Sequence, residues 1–307
     1  MTLKQQTLQE VLLWMKAQES NTICFKMLNP DLAAHKHNGA LLTCKNETYR
    51  YYSYRALIDL AEILGYKMLT PKINDACTVT IVFERLDSSA SFHDNVIKDK
   101  SEKYGSNSDY AAIQKAEEPA FLHAYLQALE HVSIHQRTRI LNLGINRGDE
   151  FETIRRHIGD ALFNTQHYVG IDHSQSAIKA ARARFDENVS LHVSDINAID
   201  TLDLARFDLI ISIGTLQSPN INMKPFLMHL TQQYLSRDGA IILGFPNCRF
   251  RDGEMLYGAK APNYSFSEQS LLYTDVIFCK KYLQQHHYRV TLTGKQYLFL
   301  TATKIVK

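Results

Sequence analysis

Hydrophobic positions in the second half of the chain form short, mostly apolar runs separated by segments of helical periodicity. The runs occupy residues 140–143, 168–171, 189–193, 207–211 and 240–245, and some contain single polar residues such as Asn142 and Asp208. Mostly apolar runs of this length are typical of strands that a parallel sheet buries on both faces, and their alternation with helices predicts an α/β fold. Residues 288–303, with Gly294 and Lys295 in the middle, predict an antiparallel hairpin that closes the sheet.

The first half of the chain mixes helical and alternating patterns. Residues 3–16 have the spacing of an amphipathic helix. Residues 39–52 read as a hairpin that turns near Asn46, and residues 54–64 read as a second helix. These elements predict a small α+β domain over residues 1–87, for which the sequence indicates no role.

Two further segments complete the predicted organisation. Residues 88–135 begin with a polar stretch and continue into a mostly helical run, so they predict a linker followed by a leading helix that folds over a ligand site. Residues 136–307 form the predicted α/β domain. The long gap between Gly144 and Asp172 predicts a long first helix in that domain.

The segment from Arg139 to Glu150 reads as a buried strand, a turn and the start of a helix. Gly144 and Gly148 allow backbone angles and close approaches that a side chain would block. Such turns present free backbone N–H groups at the carboxyl edge of the sheet, where α/β proteins bind nucleotide-like cofactors. Asn146, the residue between the two glycines, tolerates a left-handed backbone.

The charge of this turn favours one cofactor over another. A dinucleotide turn, G-x-G-x-x-G, would need glycine at positions 146 and 149, where the chain has Asn146 and Asp149. Asp149 and Glu150 suit a helix N-terminus but would repel a pyrophosphate. A cationic adenosyl compound fits better, and S-adenosylmethionine (SAM) is one.

Acidic residues follow the next strands. Asp172 ends the second strand and is placed to accept from both ribose hydroxyls, although it also suits a helix cap. Asp195 follows the third strand and is placed to accept from the adenine amine, although Asp-Ile-Asn is also an ordinary turn. Asp208 begins the fourth strand, far from this edge, and we expect a structural role for it.

Taken in order, these motifs resemble the class I SAM-dependent methyltransferases from about Arg139 to Lys304. The matching motifs are Leu143-Gly144-Ile145-Asn146-Arg147-Gly148, Asp172, Asp195, Phe207-Asp208-Leu209-Ile210, the turn 235–239 and the hairpin at Gly294. Asn142 stands where the family usually has an acid, and Asn146 where it has glycine. The resemblance implies a Rossmann-like, mostly parallel sheet with an antiparallel C-terminal hairpin, SAM as cofactor and methyl transfer as activity.

The resemblance also implies which residues contact SAM. They are Asn142, Gly144, Ile145, Asn146, Gly148, Asp149, Asp172, His173, Asp195, Ile196, Ser212 and Gly214.

Residues beyond the strand ends are candidates for binding the methyl acceptor. They are Tyr104, Gln217, Asn247, Arg249, Arg251 and Tyr264, with Tyr257 and Lys260 in the same irregular stretch as Tyr264. Arg249 and Arg251 suit a carboxylate or phosphate on the acceptor, or equally a solvated basic loop. A helix is predicted to begin near Ser265, with Glu268 as a capping partner. No residue stands out as catalytic.

Composition limits the partners. The formal net charge is +2 with mixed signs, so we expect a small-molecule acceptor; a nucleic acid is not indicated, although a local basic groove would not show in the net charge and this alternative stays open. The fourth strand is followed by Ile213-Gly214-Thr215-Leu216, not by the Asn/Asp-Pro-Pro-aromatic turn of enzymes that methylate amino groups of nucleic-acid bases. The oligomeric state is open.

Five cysteines without C-x-x-C spacing indicate reduced thiols, no metal site and a cytoplasmic protein. We expect neither a membrane span nor a signal peptide.

Two other functions stay open at this stage. One is a nucleotide- or NAD-dependent oxidoreductase with a degenerate turn, which Asp149 and the terminal hairpin disfavour. The other is a non-catalytic protein that binds SAM, for which Asn142 and Asn146 are the argument.

Overall fold

The computed structural model describes residues 1–33, 35–87, 105, 108–259 and 267–305. Its contacts divide the chain into two units. The first is Met1–Ser91 with Phe250–Leu256, and the second is Phe92–Arg249 with Tyr257–Lys307. The short segment Phe250–Leu256 therefore groups with residues that are far away in sequence. The three-part division of the sequence stays a prediction.

The first unit is built on antiparallel strands. Its strands are β1 (Thr22–Leu28), β2 (Leu41–Cys44), β3 (Glu47–Arg50), β4 (Tyr66–Met68), β5 (Lys72–Ile73) and β6 (Thr78–Arg85), and its helices are α1 (Leu8–Lys16) and α2 (Tyr54–Ile63). β6 lies at the centre, pairing with β1 on one side and with β4 and β5 on the other. Trp14 packs edge-on against Phe25 with ring centroids 6.0 Å apart, and Phe25 packs against Phe83 at 5.5 Å.

The predicted hairpin and second helix of this unit are confirmed, and three details are corrected. The first helix begins at Leu8, because Thr7 and Glu10 form a capping box that fixes its start. β1 was not predicted. Cys44 and Cys77 form a disulfide, so the expectation that all five cysteines are reduced is wrong. The hairpin β2–β3 brings Cys44 to Cys77, a proximity that spacing along the chain does not reveal.

The second unit contains a seven-stranded sheet that confirms the predicted α/β class. Its strands are β7 (Arg139–Leu143), β8 (His167–Asp172), β9 (Val189–Val193), β10 (Phe207–Ile213), β11 (Leu235–Pro246), β14 (Tyr288–Gly294) and β15 (Tyr297–Lys304). Their order is β14-β15-β11-β10-β7-β8-β9. Strands β7 to β11 run parallel, and β15 is antiparallel to both β11 and β14. The carboxyl ends of the five parallel strands therefore share one edge.

Six α-helices within the described residues accompany this sheet. They are α3 (Pro119–His131), α4 (Asp149–Ile158), α5 (Asp160–Phe163), α6 (Gln175–Arg182), α7 (Met223–His229) and α8 (Ser270–Gln285). The rings of Phe121 and Tyr125 on α3 pack against Phe299 of β15, with centroids 5.6 and 5.8 Å away. Leu227 of α7 and Leu283 of α8 belong to a separate fully buried cluster with β-strand residues. The sheet is thus covered by apolar side chains from several helices.

Four boundaries differ from the predictions. The long first helix is two helices, because Gly159, at φ 82°, interrupts it. The turn predicted at 235–239 is an irregularity within β11, where the pairing with β10 shifts. α8 begins at Ser270, and Glu268 accepts from the Ser270 N–H at 2.9 Å. The helical run predicted from residue 111 becomes an α-helix only at Pro119, which suits a first helical position.

A short hairpin follows β11. It consists of β12 (Cys248–Arg251) and β13 (Glu254–Tyr257), and Asp252 and Gly253 at its turn both have positive φ. Within the described ranges, none of the helices has the length and apolar character needed to span a bilayer.

Candidate functional site

The turn after β7 has the backbone that its sequence predicts. Gly144, Asn146 and Gly148 have φ values of 77°, 48° and 87°, so the expected left-handed Asn146 is confirmed. A Cβ on Gly144 would overlap the Thr215 hydroxyl, and one on Gly148 would overlap the Phe185 ring. Both glycines are therefore required by packing as well as by conformation.

Asp172 fixes this turn from the neighbouring strand. Its Oδ2 accepts from the Asn146 N–H at 2.9 Å, and its Oδ1 accepts from the Ser174 N–H at 2.9 Å. The side chain is buried, at 6% exposure of the residue. A carboxylate has about four acceptor positions, so each oxygen retains one for a ligand hydroxyl. The cap of α6 is a separate interaction, in which the Ser174 hydroxyl accepts from the Ala177 N–H.

The carboxylates at the start of α4 are paired with cations. Arg184 Nη1 lies 2.6 Å from Asp149 Oδ1. Lys115 Nζ lies 3.1 Å from Glu150 Oε1, and these two side chains are only 12% and 5% exposed. Lys115 belongs to a short turn ahead of α3, so this buried ion pair ties the leading segment to the start of α4. The pair is 35 residues apart in sequence, which explains why no local pattern indicated it.

Several polar atoms near the carboxyl edge have no partner. Among the residues that the structure describes, they include Asn142 Nδ2, Ser212 Oγ, Gln217 Oε1 and Asn247 Oδ1. Asn142 and Ser212 are on adjacent strands and are 1% and 2% exposed. A buried polar group without a hydrogen bond costs about 1–3 kcal/mol, so such groups gathered at one edge indicate a place for a polar ligand.

The ends of β8 and β9 bring further predicted residues to this edge. Asp172 pairs with Val193, which precedes Asp195 by two positions. Asp195 is exposed, and its Oδ1 accepts from the Asn197 N–H at 2.9 Å. His173 is half-exposed, with Nδ1 3.9 Å from Asp172 Oδ1, and Ile196 is buried. The ordinary-turn interpretation of Asp195 is thus confirmed, and the exposure of this side chain also permits contact with a ligand.

Gly214 and Asp208 lie at opposite edges of the sheet, as the sequence predicts. Gly214 has φ 76° and donates to the Gly244 carbonyl at 2.8 Å, directly after β10. Asp208 lies at the opposite edge, where its carboxylate accepts from the N–H groups of Thr138 and Arg139 at 2.8 and 3.0 Å. The expected structural role of Asp208 is confirmed.

The residues after β11 form a braced segment. Asn247, at 2% exposure, donates through its backbone N–H to the Gln296 carbonyl at 2.7 Å. Arg249 Nη1 donates to the Tyr257 and Gly258 carbonyls and to the Ser267 hydroxyl, at 3.0, 2.8 and 2.8 Å. The hydrogen bonds of this guanidinium nitrogen therefore stabilise the segment that follows β11.

The acceptor-binding candidates Arg251, Tyr104 and Tyr264 do not lie in the described part of the second unit. Arg251 belongs to Phe250–Leu256, in the first unit. Tyr104 and Tyr264 lie outside the described residues.

The buried thiols of this unit are unsuited to nucleophilic chemistry. Burial raises the pKa of both Cys248 and Cys279 to about 12, so neither forms a thiolate at neutral pH. No group of three or more His, Cys, Asp or Glu side chains within the described part of the chain is arranged to hold a metal ion.

Residues 134–269 match a family model described as "Methyltransferase domain". A comparison with curated proteins finds no match.

Solved structures with a similar fold include several methyltransferases. One is the plantazolicin methyltransferase BpumL in complex with a desmethyl analogue and S-adenosylhomocysteine, at 13% identity, 67% of this chain, 94% of that chain and a TM-score of 0.47. Another is magnesium protoporphyrin IX methyltransferase from Synechocystis PCC 6803 with bound SAM, at 12% identity, 69% of this chain, 100% of that chain and a TM-score of 0.41. The residues that match the family model include the five parallel strands β7 to β11, so this part of the chain is similar to a methyltransferase domain and has a Rossmann-like sheet.

Proposed function

We propose that the turn 144–148 and Asp172 hold SAM, and that the enzyme transfers its methyl group to a small-molecule acceptor. The observation that carries this proposal is the bond from the Asn146 N–H to Asp172 Oδ2. It joins the turn after the first strand of the parallel sheet to the acid after the second, and it leaves carboxylate lone pairs for the two ribose hydroxyls. Asn142 and Ser212 supply buried polar atoms beside the turn.

The charge distribution supports SAM over a dinucleotide. Asp149 and Glu150 occupy the first turn of α4, where a pyrophosphate would have to bind. Arg184 and Lys115 compensate these carboxylates, but the carboxylates still fill the helix N-terminus. The positively charged sulfonium of SAM would not be repelled by these carboxylates.

The acceptor is proposed to be small because the chain has a net charge of only +2 and no base-methylating turn after β10. Gln217 and Asn247 of the second unit stay predicted acceptor contacts, as do Tyr104 and Tyr264 and, in the first unit, Arg251. For Arg249 the three bonds to its own segment favour a positioning role over direct contact with an acidic acceptor. Methyl transfer needs nucleophile, methyl and sulfur in line, and orientation alone supplies several kcal/mol.

Calorimetry with S-adenosylhomocysteine on matched variants tests the proposed cofactor site. Asp172→Ala should weaken binding at least tenfold, because it removes the proposed ribose acceptor and the bond that positions the turn. Asp208→Ala is the control: that acid also accepts backbone N–H groups, but at the opposite edge of the sheet. It should lower stability while leaving the affinity unchanged. Equal affinities for wild type and Asp172→Ala, or tighter binding of NAD than of S-adenosylhomocysteine, would remove the proposal.

The location is proposed to be cytoplasmic, on the argument that Cys24, Cys248 and Cys279 are free thiols. The Cys44–Cys77 disulfide opposes it, since such bonds persist mainly in oxidising compartments. Alkylation of thiols at the moment of cell lysis, followed by mass spectrometry, measures the state of this pair. A fully oxidised pair in the native host would argue against the cytoplasm.

A further inference from the structure

Tyr257 ends the β12–β13 hairpin and belongs to the second unit. Its phenol oxygen accepts from Gln269 Nε2 at 3.2 Å and from the side-chain amide of Asn247. Asn247 directly follows β11, at the carboxyl edge where the cofactor turn lies. The phenol is therefore bonded to a residue at the substrate side of the sheet.

The position of this ring is fixed through its backbone. The Tyr257 carbonyl accepts from Arg249, and the next residue, Gly258, donates to the Asn247 carbonyl at 2.8 Å. Gly258 has φ 87°, and a Cβ there would overlap the Ser267 hydroxyl, so this bend requires glycine. Despite this bracing, 43% of Tyr257 is exposed, which leaves the ring accessible to a small molecule.

Two amide donors on one phenol oxygen favour its ionised form. The hydrogen bond from Gln269 and then that from Asn247 lower the pKa of the Tyr257 hydroxyl, and the charge of Lys295 acts in the same direction. Burial or a nearby carboxylate raises the pKa of seven other described tyrosines. They are Tyr49, Tyr52, Tyr54, Tyr125, Tyr168, Tyr234 and Tyr288.

We propose that Tyr257 is the general base that removes the proton from a hydroxyl or amine acceptor during methyl transfer, positioned by Gln269 and Asn247. This inference rests on the proposed function and adds to it a catalytic residue and a class of acceptor. The acceptor class is a hydroxyl or an amine, from which a proton must be removed for methylation, in contrast to a carboxylate.

The proposed step balances without a further reactant. A lone pair on the acceptor oxygen or nitrogen forms the bond to the methyl carbon. The bond from that carbon to sulfur breaks, and its electron pair stays on sulfur to give S-adenosylhomocysteine. The proton of the acceptor passes to the Tyr257 phenolate, which becomes a phenol and later returns the proton to solvent. Among the described residues, Lys295 is the charged group that lowers the pKa of the Tyr257 hydroxyl and so favours the phenolate, whereas Arg249 donates to the Tyr257 backbone carbonyl.

The first experiment follows ionisation directly and needs no acceptor. The full-length protein, saturated with S-adenosylhomocysteine, is labelled with carbon-13 at tyrosine Cζ and titrated by NMR, and Tyr257→Phe assigns the signal. Tyr257 should ionise below the ordinary tyrosine pKa of about 10. Gln269→Met removes one amide donor and should return the pKa toward that value. An ordinary or raised pKa in the wild type overturns the proposal.

The second experiment measures release of S-adenosylhomocysteine with three types of small acceptor: a phenol, a primary amine and a carboxylic acid. Tyr257→Phe should lower kcat about 100-fold for the phenol and the amine, within the usual range for loss of a general base, and abolish the rise of rate with pH. It should spare the carboxylate, which carries no proton at neutral pH. Tyr273→Phe, at a tyrosine of 47% exposure on α8, is the matched control.

The outcomes separate this inference from the proposed function. Failure of the wild type to bind S-adenosylhomocysteine contradicts the proposed function itself. Intact binding with an unchanged rate and pH profile in Tyr257→Phe contradicts only the role of Tyr257. Equal losses for all three acceptor types would show a structural effect and would also overturn it.

Discussion

The two units differ in how they treat buried polar side chains. Within residues 1–33 and 35–87 of the first unit, every buried side-chain nitrogen or oxygen has a partner; Thr78, at 2% exposure, donates its hydroxyl to Asp75 at 2.7 Å. In the segment 250–256 of the same unit, Arg251 Nε has none. The second unit leaves polar atoms of Asn142, Ser212 and Asn247 unpartnered in its described part, at a comparable exposure of 1–2%.

This difference indicates how the buried polar groups of each unit affect its stability. A partnered polar group stabilises a fold, whereas an unpartnered one costs about 1–3 kcal/mol until a ligand binds it. The unpartnered atoms of Asn142, Ser212 and Asn247 gather where β7, β10 and β11 end, beside the turn proposed to hold SAM. The second unit is accordingly expected to gain stability from its cofactor, and the first to be complete without it.

The largest expected effect is loss of the disulfide in the first unit. The bond closes a loop between residues 33 positions apart, and a loop of this length implies about 4 kcal/mol of stabilisation. Cys44→Ala with Cys77→Ala should therefore lower the free energy of unfolding of this unit by up to that amount. Trp14 is the chain's one tryptophan and packs against Phe25, so its fluorescence during urea unfolding reports on this unit.

Cys24→Ala is the matched control, because Cys24 is a free, exposed cysteine on β1 of the same unit. It should leave the urea midpoint unchanged. A double alanine variant with the same midpoint as the wild type would show that the unit does not depend on the bond. A large loss of S-adenosylhomocysteine affinity in that variant would contradict the expectation that the first unit and the cofactor site are independent.

The same contrast between the two units explains which elements of the fold could be predicted from the sequence. The sheet of the second unit was predictable because apolar runs such as 140–143 and 207–211 report directly on strands buried on both faces. The turn was predictable because Gly144 and Gly148 are needed by local geometry. In the first unit, β1 was missed because Thr22–Leu28 carries a charge, Lys26, within an otherwise apolar run, and its pairing partner β6 is distant in sequence.

The location of a candidate site residue was predictable only where it is set by the residue's place on a strand. Asp172 follows from the end of β8, and Asp208 from the start of β10. The Lys115–Glu150 pair and the hydrogen bonds to Tyr257 join segments that only the folded chain brings together. For Arg249 the residue type indicated an anion site, but in the fold its Nη1 donates to carbonyls of its own segment.

The second prediction concerns the buried ion pair of the second unit. Lys115→Met leaves the 5%-exposed Glu150 carboxylate without its cation, and breaking such a pair costs about 3 kcal/mol. The thermal unfolding of this unit, followed by circular dichroism, should shift to lower temperature. Lys115→Met with Glu150→Gln removes both charges and should recover most of the loss. A double variant as unstable as the single one would show that the effect comes from packing of the lysine stem.

A third prediction compares one hydroxyl from each unit. Ser212→Ala removes a hydroxyl without a partner and should leave the unliganded protein unchanged or stabilise it by about 1 kcal/mol. Thr78→Val removes a bonded hydroxyl of equal burial and should destabilise the first unit by about 1 kcal/mol. Thermal shifts without and with S-adenosylhomocysteine measure both. Ser212→Ala should reduce the shift caused by the ligand, and Thr78→Val should not; the reverse result would remove the proposed division of roles.

The smallest expected effect is a pH dependence confined to the first unit. Hydrogen bonds from Thr78 and Cys77 and the charge of Lys26 hold the pKa of Asp75 below its usual value. A carboxyl whose pKa is lower in the folded state adds stability above its unfolded pKa, about 3.9, and loses it progressively as the pH falls below that value. Asp75→Asn should therefore lower the urea midpoint reported by Trp14 at pH 7 and converge with the wild type in acid. Because Asp75 is partly exposed, the difference should be small and should shrink in high salt. A gap that widens as the pH falls would contradict the sign of this argument, and the absence of a gap at every pH would show that the Asp75 charge does not stabilise the turn at 75–78.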